Sequence, residues 1–229
     1  MISIVLASSP LVGHGAMAGV AEELRHSDRV VCVPHVPIDP ASFTESVATS
    51  IRESIRESIT DSDERAVVVG FSAAGPRLFE VASAARPAAL VFLDARLPAD
   101  GIAPDAESRF AELLDSLPLA PDGTLPAWPD WWPPELLATL IPDPDVRNAF
   151  ARACPRPLRS VFAHPIPAPS YDGPCGFVGF GDGYAADAAE AARRGWPVCV
   201  LPGAHHLWPV VAPVAVAAAI VEMIDRLGA

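Results

Sequence analysis

Basic side chains are scarce in this chain. Sixteen Lys and Arg stand against 28 Asp and Glu, a formal charge of −12 at pH 7. Binding to a nucleic-acid backbone rests on cations that neutralise phosphates, and no basic run supplies them. The same shortage disfavours an anionic membrane surface. Cysteine is sparse too. Cys32, Cys154, Cys175 and Cys199 form no C-x-x-C and lie away from any His at zinc spacing. Cys32 and Cys199 sit inside apolar runs and read as buried thiols, which suits a reducing cytoplasm. The opening MISIVLASSP has no positive region and reads as a strand rather than a signal peptide. The apolar stretch from Pro209 to Val221 contains Pro213 and is shorter than the roughly 20 residues a membrane span needs. It reads as a buried terminal helix. Neither G-x-x-x-x-G-K nor G-x-G-x-x-G after a strand occurs, so the sequence names no cofactor.

What is present is a globular composition. The chain has 229 residues, of which 51% are hydrophobic and 19% charged. A chain of that length buries roughly 70% of its unfolded surface without a disulfide or metal staple. Apolar runs of strand length alternate with helix-period segments. The runs are ISIVLA (2–7), RVVCVP (29–34), AVVVG (66–70), ALVFLD (89–94), CGFVGF (175–180) and PVCVLP (197–202). Between them, 16–25, 74–85, 185–194 and 210–227 suit helices. Val47, Ile51, Ile55 and Ile59 recur every four residues, on one helical face. Near-continuous Val, Ile and Leu strands are what a parallel sheet buried on both faces requires. The expected class is therefore α/β, a doubly wound and mostly parallel sheet.

Residues 98–174 break that rhythm. They hold many prolines, no convincing strand, and helical patches near 105–117, 134–141 and 144–153. This is the pattern of a helical cap inserted between sheet strands, with 1–97 and 175–229 forming the core. Trp128, Trp131 and Trp132 cluster in LPAWPDWWPPE. They serve equally well as cap core or as substrate contacts, since small-molecule pockets are mostly apolar. The sequence is silent on oligomeric state.

The chemistry is concentrated where AVVVG runs into Phe71-Ser72-Ala73-Ala74. A strand that stops at a small-x-Ser-x-small turn and enters a helix lifts the serine clear of the sheet's edge. The next amide, that of Ala73, then points into an oxyanion hole at the helix start. The plainer role for such a serine is a helix cap. A serine nucleophile needs a base, and the base an orienting acid. His205 and His206 follow the last strand. Asp94 ends the fourth strand and Asp182 follows the fifth, and either carboxylate can reach a histidine placed there. Burial at a strand end is costly for an unpaired carboxylate, which favours a purpose for Asp94. Asp182 in G-D-G also reads as a turn residue.

In this order, these residues resemble the α/β-hydrolase superfamily along essentially the whole chain. The segments SSPLVG, GFSAAG, LDARLP, LPAWPDWW, RRGWPV and the HLW…P ending resemble small bacterial serine hydrolases. A base followed seven residues later by a proline opening the last helix is part of that pattern. His206 and Pro213 have the spacing, and His205 is one residue out. LVFLDARLP is similar to the strand of polyketide and nonribosomal-peptide thioesterases that ends in the catalytic Asp, which implies Asp94 as the acid. Phe71 and the three tryptophans would then line the substrate site. The chain departs from the family after its first strand, where Ser8-Ser9-Pro10-Leu11 replaces His-Gly. Pro10 has no N–H, so the second oxyanion amide falls to Leu11 or Ser9.

The resemblance implies a serine hydrolase acting on an ester, thioester or lactone of a small, hydrophobic substrate. An acyltransferase, cyclase or lyase would use the same fold, and a non-catalytic binding protein would use the capped pocket alone. Product identity separates the first two. Tight binding of an unchanged ligand marks the third. The Ala, Pro and Arg content resembles that of GC-rich bacterial genomes.

Overall fold

The computed structural model describes residues 2–26, 29–37, 39–57, 65–99 and 101–229. Six strands form one all-parallel sheet in the order β2-β1-β3-β4-β5-β6. They are β1 (Ile2–Ala7), β2 (Val30–Cys32), β3 (Arg65–Phe71), β4 (Ala89–Leu93), β5 (Cys175–Phe180) and β6 (Val198–Leu201). β4 and β5 are apolar throughout, and β1 and β3 nearly so, with Ser3 and the exposed Arg65 the exceptions, because both faces of the central strands are covered. Alternate residues divide between two cores. Ile4, Leu6, Val67, Val69, Phe71, Val91 and Leu93 share one face with the helices α1 (Ala18–Arg25) and α9 (Pro213–Leu227). Val5, Ala7, Ala66, Val68, Leu90 and Phe92 share the other with α2 (Pro40–Glu57), α3 (Leu78–Ala85) and α7 (Ala185–Arg193). This is the doubly wound α/β class that the strand–helix alternation requires.

The periodic face of α2 buries Phe43, Val47 and Ile51; Ile59 lies outside the described residues. β2 is shorter than the run 29–34, being a three-residue edge strand that stops before Pro34. The terminal helix is broken, not continuous. A single turn, α8 (Trp208–Val211), ends at Ala212, with φ −139° and ψ 56°, and α9 starts at Pro213. A proline disfavours the helical region for the residue before it, so the chain turns at Ala212 and restarts.

Residues 98–174 run between β4 and β5 and carry α4 (Ser108–Ser116), α5 (Pro134–Leu140) and α6 (Pro144–Ala153). Their regular structure is helical apart from two isolated bridges, Ile102 with Ile166 and Thr124 with Leu158. The segment has a small core of its own in Leu114, Leu125, Trp131 and Phe162. A second set, Leu137, Ile141, Phe150 and Cys154, joins the sheet's α1/α9 core. The segment also rests on the loop after β1. Leu11 packs against its aromatic cluster, and the Cys154 sulfur, 3.3 Å from the Phe150 carbonyl of α6, lies 3.8 Å from the Val12 carbonyl. Among the described residues, no helix is long and apolar enough to cross a membrane.

Candidate active site

β3 ends at Phe71 in extended conformation, and Ser72 turns sharply with φ 57°. That left-handed value is uncommon for a residue with a side chain. The turn needs small neighbours. A Cβ on Gly70 would come within 2.8 Å of Leu78, and one on Gly75 within 2.6 Å of the Arg96 carbonyl oxygen. A tight turn, Ser72–Arg77, then leads into α3. The Ala73 amide belongs to its first turn, where backbone N–H groups have no partner within the helix.

Asp94 follows β4 and is also left-handed, with φ 42°. Among the described residues only Arg86 joins these two as a non-glycine with positive φ. Two of the three strained residues therefore converge on one place, which is where stored backbone strain tends to serve function. The Asp94 carboxylate is buried and fully engaged. The Phe180 amide donates to its Oδ1 at 2.8 Å, and His206 Nδ1 lies 2.6 Å from Oδ2. The other imidazole nitrogen, Nε2, is 2.9 Å from Ser72 Oγ. Side-chain exposure rises from 2% at Asp94 to 27% at His206, so the series opens outward at the serine end.

Two rings pack against the His206 imidazole. Phe71 stacks on it with centroids 5.0 Å apart, and Tyr184 lies tilted at 5.6 Å. The Tyr184 hydroxyl also interacts with the Ser72 side chain. Burial, and then the nearby Asp94 charge, pushes this phenol above its ordinary value, so it is neutral near pH 7. Sequence reasoning passed over Tyr184. Its signal was present in G-D-G-Y, a turn that ends on an aromatic residue at the start of a helix.

The remaining residues fall elsewhere. His205 turns from the serine; it stacks edge-on with Trp208, and its Nδ1 accepts the Leu207 amide at 3.3 Å. Burial lowers its pKa, with its neighbour His206 adding to the effect. Asp182 is an exposed turn residue whose carbonyl accepts the Ala185 amide. Phe71 is 1% exposed. Strand alternation puts it with Val67 and Val69, so it supports the histidine and offers no surface to a substrate. The Leu11 amide is directed at Ser9 Oγ, 3.3 Å away, which draws it from the role of an oxyanion donor. Trp131 is buried among Phe110 and Phe162, and its indole N–H donates to the Pro126 carbonyl at 2.8 Å. It belongs to the core of segment 98–174. Trp128 and Trp132 are half-buried and touch each other edge-on. Among the described residues, no group of three or more His, Cys, Asp or Glu could hold a metal ion.

The likenesses to solved structures are in fold. An extracellular α/β-hydrolase from a Paenibacillus species aligns over 97% of this chain and 99% of its own, with a TM-score of 0.72 and 17% identity. A pyrethroid hydrolase from Sphingobium faniae aligns over 98% of both chains, at 0.68 and 18%. Tomato methylketone synthase I aligns over 98% of both, at 0.69 and 11%. The chain has the α/β-hydrolase fold. No protein-family model and no curated protein sequence matches it. In an α/β-hydrolase sheet the ends of β3, β4 and β6 face a common edge, which is where Ser72, Asp94 and His206 stand here. Such a series can move a proton from a hydroxyl to an imidazole and hold the resulting cation against a carboxylate.

Proposed function

We propose that this protein is a serine hydrolase that cleaves an ester, thioester or lactone of a small, apolar substrate through an acyl-enzyme. One observation carries the reading, the hydrogen-bonded series from Ser72 Oγ through His206 to Asp94 at 2.9 and 2.6 Å. In this account Ser72 attacks the carbonyl carbon and gives its proton to His206 Nε2. Asp94 keeps the Nδ1–H tautomer and balances the imidazolium. The Ala73 amide receives the oxyanion. His206 then returns the proton to the leaving group, and water releases the acyl group by the same path in reverse.

Residues 98–174 are proposed as the lid over this edge, with Trp128 and Trp132 giving it an aromatic lining. Their half-burial and the packing of Leu11 against their cluster support that role. Two of the three structural neighbours described are named hydrolases, which supports hydrolytic chemistry over a binding role.

The test is turnover of a panel of short-chain esters, thioesters and lactones by the wild type and Ser72→Ala. Free acid should appear with the wild type and fall to background in the variant. Full activity in Ser72→Ala would overturn the proposal. A new ester formed from an added alcohol, with little free acid, would instead assign an acyltransferase.

A further inference from the structure

Tyr184 is the one aromatic hydroxyl at the reacting serine, and the hydrolase account above gives it no task. Strand order decides which side it serves. β1 flanks β3 on one side, and β4, β5 and β6 follow on the other. The loop after β1 therefore approaches Ser72 from one side. Asp94, Tyr184 and His206 approach from the other. Tyr184 ends the turn after β5, and that turn is tied to both neighbours. The Phe180 amide donates to Asp94, and the Gly181 backbone passes so close to the Ala204 carbonyl that a Cβ there would sit 3.0 Å away.

At rest the phenol's proton is directed at Ser72 Oγ, outside the series that joins Ser72, His206 and Asp94. The single hydrogen of Ser72 Oγ goes to His206 Nε2, which must accept because Nδ1–H faces Asp94. The Tyr184 hydroxyl interacts with Ser72 without joining the short bonds of that series. A neutral O–H that meets the nucleophile and packs against the base stands on the side of Ser72 from which His206 delivers its proton. Catalytic hydrogen bonds are commonly loose before substrate binds and tighten in the reacting complex.

Resting on the serine-hydrolase reading, we propose that Tyr184 is a catalytic residue whose hydroxyl donates a hydrogen bond to the leaving-group oxygen, matching the site to oxygen esters and lactones over thioesters. The step balances without further reactants. The bond from Ser72 Oγ to the carbonyl carbon has formed, and the oxyanion's electron pair re-forms the carbonyl. The carbon–oxygen bond to the leaving group breaks, and that oxygen takes the proton from His206 Nε2. Tyr184 keeps its own proton throughout and stabilises charge gathering on the departing oxygen. Sulfur is a weak hydrogen-bond acceptor, so a thiolate leaving group gains little. A nitrophenolate needs little help, since its charge is already spread over the ring.

The experiment compares the wild type and Tyr184→Phe on the ethyl ester, the ethyl thioester and the p-nitrophenyl ester of one short acyl chain. Both proteins are also treated with a fluorophosphonate. The expected loss in kcat/KM is at least about tenfold for the ethyl ester, approaching the roughly 10²–10³ of a lost oxyanion donor. The thioester and the nitrophenyl ester should change by less than about twofold, with Ser72 labelled in both proteins. Equal losses on all three substrates, no loss on any, or wild-type turnover of the thioester alone would overturn the role of Tyr184. A wild type that takes no label and turns over nothing would instead overturn the hydrolase reading on which it rests.

Discussion

Phe71 and His206 lie nearly face to face, with ring centroids 5.0 Å apart and planes 27° from parallel. The residue before the serine is thus the support beneath the histidine. Phe71 is fixed in the sheet core, so it sets the plane of the imidazole while Asp94 sets its rotation. An aromatic face also stabilises a cation resting on it, by about 0.5–2 kcal/mol depending on desolvation. Phe71→Leu keeps much of the volume and removes the ring. It should lower kcat by roughly 3–30-fold with little change in KM. A rise in KM with kcat unchanged would show that Phe71 meets substrate instead.

Asp94 has two separable duties. Its Oδ1 accepts the buried Phe180 amide, and its Oδ2 faces His206. Asp94→Asn retains an acceptor for Phe180 but presents the wrong partner to Nδ1–H. It should fold with a near wild-type melting temperature while kcat falls by roughly 10³–10⁴. Asp94→Ala leaves the Phe180 amide without an acceptor and should lose a further ~1–3 kcal/mol of stability. Thermal unfolding of the two variants, measured beside their ester hydrolysis, checks the division.

Trp131 and Trp132 are adjacent and chemically identical, yet the same substitution should act oppositely on them. The Trp131 indole N–H donates to Pro126. The Trp132 indole N–H is buried with no partner among the described residues. Trp131→Phe loses a made hydrogen bond and should cost about 1–2 kcal/mol. Trp132→Phe removes an unsatisfied donor and should be neutral or stabilising by up to about 1 kcal/mol. Urea midpoints of the two variants provide the comparison.

The buried thiols set an alkaline limit. Burial pushes the Cys154 and Cys175 thiols above their ordinary value to about 12, and the Tyr171 phenol also to about 12. A group whose folded pKa is raised holds its proton more tightly when folded. Its stabilising contribution is complete below the unfolded pKa and is lost as pH rises through the folded one. Stability should therefore be flat across neutral pH and decline from about pH 9 towards 12. Each group contributes a slope of at most about 1.4 kcal/mol per pH unit. Cys154→Ala with Cys175→Ala should make the decline shallower in urea titrations taken at successive pH values. An unchanged slope would contradict the assignment.

β5 was readable because burial on both faces leaves no polar position to blur its ends. β5 spans the run Cys175–Phe180 itself. The turn at Ser72 was equally local, since its demand for small residues is written in Gly70 and Ala74. The proposed acid was different. Asp94 and Asp182 both fit the chain order, and what separates them is tertiary: an amide from β5 and a histidine from beyond β6 meet at Asp94 alone of the two. Tyr184 stood in the visible G-D-G-Y turn, but its place beside Ser72 depends on how α7 enters after that turn. Phe71, expected at the substrate, could have been placed by alternation, since it shares a strand face with Val67 and Val69.

The central claim is that Ser72 is activated by His206, and its most direct measurement is intact mass after treatment with a fluorophosphonate, followed by peptide mapping. The account predicts one adduct per chain, on Ser72, that is lost in His206→Ala and retained in His205→Ala. A folded wild-type protein that takes up no label, or labels as well without His206 as with it, would contradict the account.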